Sequence, residues 1–173
     1  MVRMSLCLVV FIILATPIEC VAAQDNEKLA VEATVRGFEQ ANQDFEFAKA
    51  NSFLSPGAQW IEHSLPEKAD ELPDWWRKAK TAGVHITFRL HDIDIHVQND
   101  VAWVTLIIDS TFTANNKEGE ELLSEQVQGG FANVSANPRE LRDRFVESEV
   151  LVKTPSGWKI ALGHTSLLPM EKK

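Results

Sequence analysis

The sequence contains no tyrosine, and its two cysteines, Cys7 and Cys20, both fall near the start of the chain. No phenolic hydroxyl is therefore available to a site. Arg3 precedes an uninterrupted apolar run from Leu6 to Ala15, and Val21, Ala22 and Ala23 form a small-residue cleavage signature, so residues 1–23 have the pattern of a secretory signal peptide. Its removal takes both cysteines, leaving a mature chain from Gln24 in which disulfides, cysteine nucleophiles and cysteine-bound metals are excluded. A lipid anchor on Cys20 is the competing reading, disfavoured by Glu19 where lipoprotein processing expects a small residue. Long hydrophobic runs are also lacking. The first run is shorter than the roughly 20 residues of a membrane span, and no other approaches it, so a secreted or periplasmic protein with no membrane association after signal removal is expected. Basic runs are absent too: Lys and Arg are scattered in a chain of formal charge −8, which argues against nucleic-acid binding and for solubility.

What is present is one domain's worth of pattern. From Asn26, the residues Val31, Val35, Phe38 and Phe45, with Ala41 and Ala48, fall on one helix face, capped by Asp25 or Asn26. A second short helix is expected from Asp44 to Ser55, Pro56 and Gly57, then a short strand from Ala58 to His63. Pro73 opens a helix through Asp74, Trp75, Trp76 and Ala79 that Gly83 stops, and its paired tryptophans fit core packing better than a cofactor platform. Next, Val84, Ile86, Phe88 and Leu90 alternate, but the apolar set then becomes Ile93, Ile95 and Val97. That change of parity predicts a bulge near Leu90 and His91 and a bend in the sheet.

Asn99 and Asp100 turn the chain into a strand over residues 101–113, where Val101, Trp103, Thr105 and Ile107 alternate. Residues 115–138 break the pattern as an insertion, either lid or mobile segment, with a helical turn expected at Glu120 to Gln126 and a glycosylation acceptor at Asn133, Val134 and Ser135. Strand pattern returns over residues 139–153, with Phe145, Glu147, Glu149 and Leu151 on one side. Thr154 to Gly157 closes a hairpin into the last strand, where Trp158, Ile160, Leu162, His164 and Ser166 share one face by simple alternation. A face that passes from bulky apolar residues to a His and a Ser resembles the wall of a pocket.

This order of elements, with Leu54 to Trp60, Asp100 to Val104, and Gly157, Trp158, Lys159, Ile160, His164 and Ser166 at characteristic spacings, resembles the nuclear transport factor 2-like (NTF2-like) superfamily, in its SnoaL-like and ketosteroid-isomerase-like branch. The resemblance implies an α+β, cone-shaped fold over residues 24–173, with N-terminal helices packed on a strongly curved antiparallel sheet. It also implies a homodimer formed through the sheet and a pocket between sheet and helices. Counting from Ala58 places the family's proton-abstracting carboxylate at Glu62, and counting back from Gly157 places its neutral acid at Glu149; the tyrosine partner of that family is missing.

The expected site therefore comprises Glu62 taking a proton and His164 or Glu149 returning it, in a pocket lined by Trp60, Trp103, Phe145, Leu151, Trp158 and Leu162. A small, mostly apolar organic ligand and cofactor-independent isomerase, cyclase or dehydratase chemistry follow. The alternative is a non-catalytic ligand-binding or dimerisation module. Asp92, Asp94 and His96 alternate on one strand face, but period-two ligands are spread too far for one small ion, and no metal site is expected.

Overall fold

The computed structural model describes residues 17–62, 65–68, 74–129, 132 and 137–169, and the calls on Asn133, Val134 and Ser135 fall outside them. Ten elements follow in order: α1 (Pro17–Gln43), α2 (Phe47–Ser52), β1 (Leu54–Glu62), β2 (Leu65–Lys68), α3 (Asp74–Thr81), β3 (His85–Gln98), β4 (Val101–Thr113), α4 (Lys117–Gln128), β5 (Glu140–Thr154) and β6 (Gly157–Leu168). The strands form a six-stranded sheet in the order β2-β1-β6-β5-β4-β3. Neighbours are antiparallel except β1 and β6, which run parallel, so the expected antiparallel sheet is a mixed one.

The apolar stripe of α1 explains where that helix lies. Val31, Val35 and Ala41 are wholly buried and Phe38 nearly so, packed on Val104, Leu106, Ile108, Leu151, Trp158 and Ile160 from the inner face of the sheet. Each large apolar side chain so buried contributes roughly 1.5–3 kcal/mol, which fixes the helix across the sheet without disulfides. A second cluster lies under α3 and α4. Trp75 stacks edge-on against Phe112 at 5.5 Å, Trp76 against Phe88 at 6.4 Å, and Leu122 and Leu123 close it. The tryptophan pair is thus core packing, and the segment expected to carry one helical turn forms a full helix capped by Asn116, whose side chain accepts from the Gly119 amide at 2.9 Å.

Two irregularities aim the inner face. In β3 the register slips by one residue between His91 and Asp94, with Asp92 at φ 51°, so the expected bulge is present just beyond its expected position. In β6 the pairing passes from Leu151 with Ile160 to Val150 with Leu162, leaving Ala161 as an extra residue. That second bulge turns over every side chain that follows. Trp158 and Ile160 face inward, but beyond Ala161 it is Gly163 and Thr165 that face inward, and Leu162, His164 and Ser166 that face outward.

Candidate functional site

The inner face carries three acids where apolar residues are expected. Glu39 of α1 and Glu147 and Glu149 of β5 are 5%, 3% and 1% exposed, and one carboxylate oxygen from each lies within 4.8 Å of the others. Alternation in β5 puts Glu147 and Glu149 inward between Phe145 and Leu151, while α1, lying across them, brings in Glu39 from more than a hundred residues away.

Unscreened carboxylates at this spacing and depth repel one another and lose hydration, so the group holds protons. Burial pushes the Glu39 carboxyl well above the usual carboxylate range, the neighbouring charges of Glu147 and Glu149 push it further, and a hydrogen bond with Glu147 acts in the same direction. Burial, followed by the Glu147 charge, raises Glu149 likewise. Glu39 and Glu147 thus lie close enough to exchange a proton. Glu149 differs from them: both its carboxyl oxygens are buried with no hydrogen-bond partner among the described residues.

A polar chain holds Glu147 from the other side. Trp60 Nε1 donates to Thr165 Oγ1 at 3.0 Å, and that hydroxyl donates to Glu147 Oε1 at 2.7 Å. The Trp60 indole lies over Gly163, where a Cβ would come within 2.2 Å of its ring, and tilts against Phe38 at 5.4 Å. Cross-strand register lays out the rest. One row runs Trp60, Gly163, Glu149, Val104, Ile95; the next contains Thr165, Glu147 and Leu106; the one beyond contains Leu167, Phe145, Ile108 and Leu90. Phe145, Leu90, Phe88 and Trp60 are only half-buried and pack against the core cluster on this side of the sheet.

The expected site residues divide accordingly. Glu149, Trp60, Phe145, Leu151 and Trp158 lie on the inner face or in the core beneath it. Trp103 is corrected to the outer face, 43% exposed and stacked on His96 at 5.2 Å. The reason is that Ala102, Val104 and Leu106, the other parity of β4, meet α1. Leu162 and His164 are corrected outward by the Ala161 bulge, and His164 Nε2 meets Ser166 Oγ at 3.3 Å on that exposed side. Glu62 ends β1 paired in register with Thr165, and its side chain lies outside the described residues. Asp92, Asp94 and His96 do not converge: His96 meets Asp94 at 2.9 Å, and His91 meets Asp92 at 3.0 Å and Asp109 at 3.2 Å.

Glu39 and Glu147 were not singled out from the sequence. A signal existed for Glu39, which continues the four-residue spacing of Val31 and Val35 and so puts an acid on the buried stripe of a helix.

Residues 31–137 match the SnoaL-like domain family. The chain belongs to that family. The match includes Glu39 and ends before the strand that carries Glu147 and Glu149. Solved structures with the same fold include a candidate dehydratase of the NTF2-like family from Streptomyces avermitilis, with TM-score 0.63, 16% identity, and coverage of 84% of this chain and 99% of that one. The CaMKII hub of S. rosetta aligns with TM-score 0.56 and 18% identity over 82% of this chain and 96% of its own. A candidate ketosteroid isomerase from Shewanella frigidimarina aligns with TM-score 0.50 and 21% identity over 79% and 94%. No curated protein sequence matches the chain. At these identities the structural neighbours show the fold, and SnoaL-like membership agrees with the resemblance drawn from the sequence.

Proposed function

We propose that this SnoaL-like domain is exported, binds a small, mostly apolar organic molecule on the inner face of its sheet, and moves a proton on it without a cofactor. The observation that carries the reading is the buried acid group: one carboxylate oxygen each of Glu39, Glu147 and Glu149 lies within 4.8 Å of the others, and Glu149 presents a buried carboxyl with no protein partner among the described residues. Glu147, oriented by Thr165, takes or gives the proton and Glu39, whose carboxyl burial holds above the usual carboxylate range, exchanges it. Glu149 faces the ligand. The neighbours named as a dehydratase and an isomerase support this class of chemistry by analogy of fold.

The test is proton exchange into a panel of cyclic ketones and enones in deuterated water, followed by NMR, with the parent, Glu147→Gln and Glu62→Gln. Exchange catalysed by the parent and lost in Glu147→Gln supports the reading. Exchange retained by Glu147→Gln and lost in Glu62→Gln moves the base to the end of β1, and no exchange with any carbonyl compound refutes the catalytic reading. Export is tested by the mass of the protein recovered outside the cytoplasm, which is expected to begin at Gln24; that cleavage leaves Val31 and every buried residue of α1 after it in place.

A second reading, a homodimerisation module, is favoured by the outer face of the sheet. Val101 and Trp103 are each 43% exposed there, and Val150 and Leu162 continue the apolar row. A neighbour named as a hub belongs to this fold as well. Sedimentation of the parent as a dimer and of Trp103→Glu as a monomer would support it; a monomeric parent would refute it.

A further inference from the structure

We propose that Glu39, Glu147 and Glu149 hold one hard divalent cation on the inner face of the sheet, Ca²⁺ in preference to Mg²⁺ or Zn²⁺. The site goes beyond the reading above and stands without it. Ion and protons take the same carboxyls in turn, so the ion-loaded protein is the form with no proton to exchange.

Two independent observations carry the ion. The first is the donor set. One carboxylate oxygen from each acid lies within 4.8 Å of the other two, no wider than the roughly 4.6–5.2 Å between oxygens on opposite sides of a Ca²⁺ ion. The three come from two elements, α1 and β5, so their meeting at one point is a property of the fold and not of one strand. The Thr165 hydroxyl, donating to Glu147 Oε1 at 2.7 Å, holds one of them in place.

The second observation is the state of Glu149. It is 1% exposed, and neither oxygen has a hydrogen-bond partner among the described residues. Its row neighbours Gly163, Val104 and Ile95 have no side-chain donor, and Trp60 Nε1, at the end of the row, is committed to Thr165. A proton on Glu149 relieves the repulsion among the acids but leaves a hydroxyl with no acceptor and a carbonyl with no donor. An ion between the three acids engages Glu149 and offsets the charges together, which is how buried carboxylates without a basic partner are accommodated.

The donor chemistry selects the ion. No histidine or cysteine belongs to the group, and carboxylate oxygens suit Ca²⁺, Mg²⁺ or Mn²⁺ better than Zn²⁺ or Cu²⁺. Mg²⁺ dehydrates reluctantly and keeps several waters, whereas these acids are each 5% exposed or less. Ca²⁺ accepts bidentate carboxylates, and three of them can supply about six oxygens, the lower end of its usual coordination. An ion of this size occupies only the space the oxygens enclose.

The experiment is calorimetric titration of the mature chain, first freed of metal with EDTA, with Ca²⁺, Mg²⁺ and Zn²⁺ each added alone. Urea unfolding is compared in EDTA and in about 10 mM Ca²⁺, above the range at which extracellular calcium modules fill. Because the acids are buried, each ion is also supplied during refolding from urea, so slow entry into the folded chain does not hide the site. One Ca²⁺ per chain is expected, bound about tenfold or more tighter than Mg²⁺ or Zn²⁺, with a higher urea midpoint in Ca²⁺ than in EDTA. Glu149→Gln and Glu39→Gln, on separate elements, are each expected to weaken Ca²⁺ about tenfold or more, and Asp94→Asn, exposed on β3, to leave it unchanged. Circular dichroism confirms the fold of each variant. Failure of both the folded and the refolded chain to bind Ca²⁺, or equal midpoints in Ca²⁺ and EDTA, overturns the site on the parent alone. Binding that survives both Gln variants, or that Asp94→Asn removes, assigns the ion to another place and overturns it equally. Mg²⁺ or Zn²⁺ bound as tightly as Ca²⁺ overturns the selection of the ion.

Discussion

Raising the pH from about 5 to about 8 is expected to destabilise the fold, the reverse of what carboxylates paired with cations produce. Glu39 and Glu149 have folded-state pKa values above those of the unfolded chain, so over the interval between the two the native state binds more protons than the unfolded state. The stabilisation is full below the unfolded value, ~4.3, and is lost as pH climbs through the raised folded values. Each group contributes a slope of about 1.4 kcal/mol per pH unit within its window, and two groups titrating together about 2.7 kcal/mol per pH unit. Glu27 and Asp109 are shifted the other way, Glu27 by hydrogen bonds from Lys153 and Trp158 and Asp109 by Arg144, so their contributions are lost below the ordinary carboxylate range and leave this window to the acid group. Urea unfolding of the mature chain at half-unit pH steps measures the slope. Glu149→Gln, nearly isosteric and uncharged, is expected to remove one of the two contributions and to be more stable than the parent at about pH 8. Stability that stays flat or rises across the window, or a Glu149→Gln curve parallel to the parent's, would refute the protonated acid group.

Three further expectations concern the scaffold. Gly163→Ala places a methyl 2.2 Å from the Trp60 ring and is expected to cost roughly 1–3 kcal/mol by overpacking, with a change in tryptophan fluorescence as the indole leaves Thr165. Thr165→Val keeps the shape but removes the hydroxyl that accepts from Trp60 and donates to Glu147; a loss of roughly 1–3 kcal/mol is expected in urea unfolding, and a loss smaller than the uncertainty of the fit would show that the polar chain contributes nothing. His164→Ala removes an exposed side chain on the outer face and is expected to change stability by about 0.5 kcal/mol or less and to leave ligand titrations unaltered. Altered binding in that variant would return His164 to the site.

Local pattern carried a large part of this protein. Alternation in β5 is enough to put Glu147 and Glu149 on the face that holds Phe145 and Leu151, because a strand without a bulge has a strict two-residue period. The helical stripe of α1 and the parity change that marks the bulge in β3 are legible for the same reason: each is a repeat within one segment. What decided the site was pairing between segments. The extra residue at Ala161 is visible only in the ladder that joins β6 to β5, and it replaces Leu162 and His164 with Gly163 and Thr165 on the inner face. In β4 both parities carry apolar residues, so contact with α1, which buries Ala102, Val104 and Leu106, leaves Trp103 outside. Glu39 reads as one acid on a helix until the helix lies across β5 and two more carboxyls meet it. The raised pKa values belong to that meeting, since desolvation and charge repulsion depend on distance in space and not on distance along the chain.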